Sequence, residues 1–157
     1  MTDAEKIVFK NKLKKWGLDL ISQRIATANA AMDQAQEAAN SEEKSSAGDK
    51  YETGRAMGHL QKEMHARQLA ESLKDLAALQ AIPIEPLSKE GRPGAFLQAD
   101  NIGFFISAGL GKQLMEGEGR TILFLSPQAP LAKLLQGKKA GDEIPFNKVL
   151  VNIQEVF

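Results

Sequence analysis

A helical stripe, broken once near its middle, limits what this chain can fold into. Apolar or small residues stand at Leu18, Ile21, Ile25, Ala28, Met32, Ala35 and Ala39. The steps alternate three and four, the spacing of a helix laid along a partner helix. Met57, Leu60 and Met64 resume the same steps, and Leu69, Leu73 and Leu76 follow after a slip. Between the stripes runs "SSAGDKYETGRAM", residues 45–57. The pattern predicts two antiparallel helices joined at a tip. Ser46, with Asp49 three residues on, is a capping-box-like pair that starts the second helix near Ala47.

Near the tip the seam turns small, with Ala28, Ala35 and Ala39 going out and Gly54 and Gly58 returning. Small seam residues let two helix axes approach toward about 8 Å. Helix propensity explains the alanines. It does not explain the glycines, each of which costs a helix roughly 0.8–1 kcal/mol relative to alanine.

The first helix begins near Asp3, with Thr2 or Asp3 as its cap. Its early stripe is Phe9, Leu13, Trp16 and Leu20, and the phase shifts at Gly17. The shift predicts that the helix base packs on something other than its partner helix, with Trp16 as an anchor on the second half of the chain. Three prolines and two glycines in "AIPIEPLSKEGRPG" mark residues 81–94 as a linker, and Pro83 ends the second helix.

Beyond the linker the period changes. "AFLQA", "IGFFISA" (102–108), "TILFLS" (121–126) and "KVLVNIQEVF" (148–157) read as strands, and "PQAPLAKLLQ" (127–136) as a short helix ended by Gly137. The expected fold class is α+β. Residues 1–80 form a coiled-coil hairpin with its tip at 41–50, 81–94 the linker, and 95–157 a small antiparallel sheet domain with one short helix across one face.

Charge narrows the functions. The chain carries 20 basic and 20 acidic residues, divided evenly, with 12 of each in residues 1–80 and 8 of each in the rest. Neither half is a basic surface for nucleic acid or an anionic membrane. The absence of cysteine excludes thiolate metal sites and a cysteine nucleophile, and fits a reducing cytosol. No apolar run has the length of a signal or a membrane span. "GDKYETGR" (48–55) has the wrong spacing for a phosphate loop. Gly109 and Gly111 fit a turn. His59 and His65 are six residues apart and make a poor metal pair.

Residues 126–144, "SPQAPLAKLLQGKKAGDEI", resemble the C-terminal domain of the bacterial Gre-family transcription elongation factors. The matching parts are Ser126-Pro127, Leu134-Leu135 with Gly137-Lys138, and Gly141-Asp142 leading into a strand. Gln136 is one residue added to the commonest family spelling. The order of parts also matches, a coiled-coil hairpin before a domain of FK506-binding-protein-like fold. The resemblance implies a monomeric cytoplasmic protein that docks its C-terminal domain on core RNA polymerase, through the residues just named, and inserts the hairpin into the secondary channel. Nucleic acid is then met only through the transcription complex, and no membrane is involved.

In such factors two acidic tip residues hold a magnesium ion for the polymerase's own transcript cleavage. When Tyr51 and Ser46 are aligned with the family's tip, Lys44 and Ala47 stand where those acids are expected. A lysine ammonium 4 Å from a divalent cation is repelled by roughly 4 kcal/mol per unit charge at an effective dielectric near 20. One expectation is therefore a regulator that acts by occupancy. It is not an enzyme, has no cofactor of its own, and meets magnesium only in the polymerase active site. The alternative is a cleavage factor using displaced carboxylates among Glu42, Glu43, Asp49 and Glu52, with Asp49 as the metal ligand. An adaptor for another partner is a third reading. Lys44, Lys50 and Arg55 make the tip mixed in charge.

Overall fold

The computed structural model describes residues 1–45 and 49–157, with side chains described outside 42–51. Helices α1 (Asp3–Ser45) and α2 (Asp49–Ala81) come first. Strands β1 (Phe96–Ala99), β2 (Gly103–Ile106), β3 (Gly111–Met115) and β4 (Arg120–Leu125) follow, then α3 (Pro130–Leu135), β5 (Glu143–Phe146) and β6 (Val149–Val156). This is the expected α+β class. Packing gathers the chain into two compact units. One is Met1–Leu18 with Ala77–Phe157, and the other is Asp19–Leu76. No described helix is long and apolar enough to cross a membrane.

The helical unit keeps the predicted seam on α1. Ile21, Ala28 and Ala35 are buried, and Ile25, Met32 and Ala39 are half-buried. On α2 the expected seam holds in part. Gly54, Gly58, Leu69 and Leu76 lie on it as expected, joined by His65 and Ser72, but Met57, Leu60, Met64 and Leu73 are exposed. The reason is space. A Cβ added to Gly58 would sit 3.3 Å from the Ala39 Cβ, so the tight face takes glycine and the larger apolar residues turn outward.

In the sheet unit, Thr2 and Glu5 form a reciprocal capping box at the start of α1. The Glu5 N–H donates to Thr2 Oγ1 (3.2 Å), and the Thr2 N–H donates to Glu5 Oε2 (2.6 Å). These bonds hold the Glu5 carboxyl below its usual pKa.

The six-stranded sheet has the order β3-β4-β2-β1-β6-β5. It is mixed rather than wholly antiparallel, because β2 and β4 pair in parallel, Phe104 opposite Leu123 and Phe105 opposite Phe124. Both edge strands, β3 and β5, arise outside the four stretches that read as strands.

The sheet is covered on both faces, not one. Leu97, Phe104, Ile106 and Leu125 join Ala132 and Leu135 of α3, with Ile144 and Ile153, in one cluster. The neighbouring residues point the other way, toward the base of α1. Phe9 meets Phe96 edge-on at 5.0 Å, and Trp16 stacks on Phe124 at 5.6 Å. Continuous apolar pairs such as Phe104-Phe105 are the mark of a strand buried on both sides. The expected Trp16 anchor is thus present. Gly17 explains the phase shift beside it, because a Cβ there would lie 2.7 Å from Leu79 Cδ2.

The β5–β6 turn is Asn147-Lys148, with φ of 51° and 66°. Both residues are left-handed, as a two-residue type I′ turn requires. Lysine is strained there, by about 1–2 kcal/mol. Lys148→Gly should therefore raise stability by up to about 1 kcal/mol, net of the entropy glycine adds to the unfolded chain. Thermal unfolding checks this, and a lower Tm would refute it.

Candidate docking surface and hairpin tip

The stretch 126–144 builds α3 and its two flanking turns. Ser126 Oγ accepts from the Gln128 N–H (3.3 Å) and donates to Gln128 Oε1 (2.6 Å), which shapes the turn after β4. Pro127 is half-buried within it. Leu135 has no exposed surface and belongs to the core, whereas Leu134, its neighbour, is 48% exposed. Gly137 takes the left-handed φ of 77° that ends a helix. Its N–H donates to Gly91 O, and the Gly91 N–H donates to Lys138 O, both at 2.8 Å. Asp142 Oδ2 accepts from the Lys139 N–H (2.8 Å), closing the turn in which Gly141 adopts φ 95°.

The predicted docking residues therefore divide by job. Ser126, Gly137, Gly141 and Asp142 shape backbone, Leu135 packs inside, and Leu134 and Lys138 reach the surface. The resemblance groups them in sequence, and α3 groups them in space.

A feature the sequence did not signal lies beyond this motif. A groove of about 380 Å³ is lined by Ile102, Lys112, Thr121, Phe146, Leu150 and Val151, among others. Phe146 packs edge-on against Phe104 at 5.4 Å, so the groove floor continues the core on the α3 side. Val149 and Leu150, each 64% exposed, form its outer lip. Asp100 fixes one end, accepting from the Asn152 N–H (3.3 Å) and from Gln154 Nε2 (3.1 Å). The lip is not legible in the sequence because β5, "EIPF", is short and has no clear alternation of its own.

At the tip, the side chains of Glu42, Glu43, Lys44 and Asp49 lie outside the described residues, as do Ser46 and Ala47. The expected Ser46–Asp49 cap and the Asp49 metal role fall there too. Glu52 and Arg55, on the first turns of α2, are exposed. Among the described residues no group of three His, Asp or Glu side chains gathers to hold a metal ion. His65 is half-buried on the seam, with Nδ1 3.2 Å from Gln68 Oε1, while His59 is exposed.

No protein-family model and no curated protein matches this chain. Among solved structures it is similar to the GreA factor homolog 1 (Gfh1) protein of Thermus thermophilus. Identity is 11%, the TM-score is 0.32, and the match covers 90% of this chain and 94% of that one. A score of that size assigns neither a function nor a partner.

Proposed function

We propose that this chain is a Gre-type transcription factor that binds core RNA polymerase through its sheet unit and presents the hairpin tip to the secondary channel. It acts by occupancy, not by acid-pair cleavage chemistry. The observation that carries the reading is the 126–144 motif, with its Ser-Pro turn, its Leu-Leu-Gly-Lys helix end and its Gly-Asp turn into a strand, set after a helical hairpin. The tip departs from the family at Lys44 and Ala47, which favours occupancy over displaced carboxylates.

The test uses the full chain and purified bacterial core polymerase. Binding should be direct, and Leu134→Asp should weaken it tenfold or more. Leu134 is 48% exposed, so the variant should keep the parent Tm within about 2 °C. A stalled, backtracked complex should release little or no additional short 3′ RNA when the protein is added. No binding by the parent would refute the reading. Strong magnesium-dependent cleavage that Asp49→Asn abolishes would replace occupancy with the displaced-carboxylate mechanism.

A further inference from the structure

Lys10 is the only charged side chain among the described residues that is buried, with 1% of its surface exposed. It sits on the inward face of α1, between Phe9 and Leu13. Its Nζ donates to Ile84 O, in the linker, at 3.0 Å. Among the described residues no carboxylate is paired with it.

The charged groups around Lys10 explain why. One turn back on α1, Lys6 is paired with Glu155 of β6 at 2.7 Å, so that acid is already engaged. One turn on, Lys14 donates to Gln80 O (3.0 Å) and Ile82 O (3.1 Å), capping the end of α2. From the linker the charge felt by Lys10 is Arg92, of like sign, whose Nη2 donates to Pro86 O at 3.1 Å. Lys14, Lys10 and Arg92 thus hold carbonyls 80, 82, 84 and 86, from the last turn of α2 into the linker. Only Lys10 does so as a buried cation without a counter-charge.

We propose that Lys10 makes the linker a pH-sensitive strap, held more tightly against α1 when the amine is neutral than when it is protonated. A neutral amine keeps the donor that Ile84 O needs, so deprotonation removes the charge without removing the bond. Burial, and then Arg92, push the Lys10 pKa down to about 8. An opened strap returns the side chain to water, where its pKa is near 10.4. The closed form therefore binds fewer protons between these two values, and closure strengthens as pH rises through that window. Linkage between the two pKa values makes the gain about tenfold from pH 7 to pH 9, with little change below pH 7.

Hydrogen exchange on the full-length protein tests this, corrected for the intrinsic pH dependence of exchange. The reporters are the Ile82, Gly91 and Gly94 amides, which donate to Leu79 O, Lys138 O and Ile106 O. Their protection should rise about tenfold from pH 7 to pH 9, while amides of β2 and β4 stay level. Lys10→Met should abolish the rise. NMR titration of the Lys10 side chain in the parent protein gives a second readout that needs no variant. Titration near 10.4 would overturn the proposal. So would flat linker protection, an equal rise across β2 and β4, or a rise that survives in Lys10→Met.

Discussion

Gly91→Ala should lower the stability of the sheet unit by about 3 kcal/mol or more, at the upper end of what overpacking costs. In a chain of this size that is a fall in Tm of roughly 10 °C. A Cβ at Gly91 would stand 1.9 Å from Leu135 O and 2.9 Å from Leu135 C. Both are backbone atoms, so no rotamer change relieves the clash. Leu135 is fully buried, and its carbonyl cannot retreat without dragging the last turn of α3 out of the core. If the linker yields instead, the paired bonds between Gly91 and the Gly137-Lys138 backbone are lost together. Gly109→Ala is the control, because its Cβ meets only the Ser126 Cβ, at 3.8 Å. Thermal denaturation of both variants decides the matter. A Gly91→Ala protein within about 2 °C of the parent would show that the linker does not press on α3.

Residues with one dominant physical role were readable in the sequence. The α1 seam is clear because its steps of three and four never miss. Trp16 was readable as an anchor because a lone tryptophan beside a phase-shifting glycine needs a surface to pack on, and Phe124 supplies it. The strands β1, β2, β4 and β6 declare themselves by apolar runs. What failed was relational. β3, "GKQLM", and β5, "EIPF", are edge strands with weak patterns of their own, and their neighbours recruit them. On α2 the stripe is legible at Gly54, Gly58, Leu69 and Leu76 and misleading at Met57, Leu60, Met64 and Leu73. Ala35 and Ala39 leave room for little more than glycine beside them, and nothing in a methionine or leucine alone says which way it turns. Lys10 gave no signal at all, since burial of a lysine is decided by what folds over it. Of the docking motif, the turn chemistry of Gly137 and Gly141 was legible. Which of two adjacent leucines would face solvent was not.

The second large effect concerns where the sheet unit ends. The sequence break at 81–94 suggests that the C-terminal part could stand alone, but its α1-side face is built with residues from the other end of the chain. Phe9 contacts Phe96 and Phe157, with ring centroids 5.0 and 6.1 Å apart, and Trp16 stacks on Phe124. Arg120 and Lys6 lie over Phe9 and Phe157, at 5.6 and 5.3 Å. A fragment of residues 90–157 would expose much of Phe96, Phe105, Phe124 and Phe157, all at most 2% exposed in the intact chain. At about 1.5–3 kcal/mol for each buried phenylalanine, the loss approaches roughly 6–12 kcal/mol. That is comparable to the entire stability of a domain, about 5–15 kcal/mol. The fragment should therefore lack a cooperative thermal transition and near-ultraviolet circular dichroism. A chain in which residues 19–76 are replaced by a short glycine-serine turn should show both. It keeps Phe9, Leu13 and Trp16 over the sheet, and Lys14 on the carbonyls of Gln80 and Ile82. A cooperatively folded 90–157 fragment would mean that the α1 base only decorates a self-sufficient sheet. An unfolded shortened chain would mean that the helical shaft supports a unit whose contacts look complete without it.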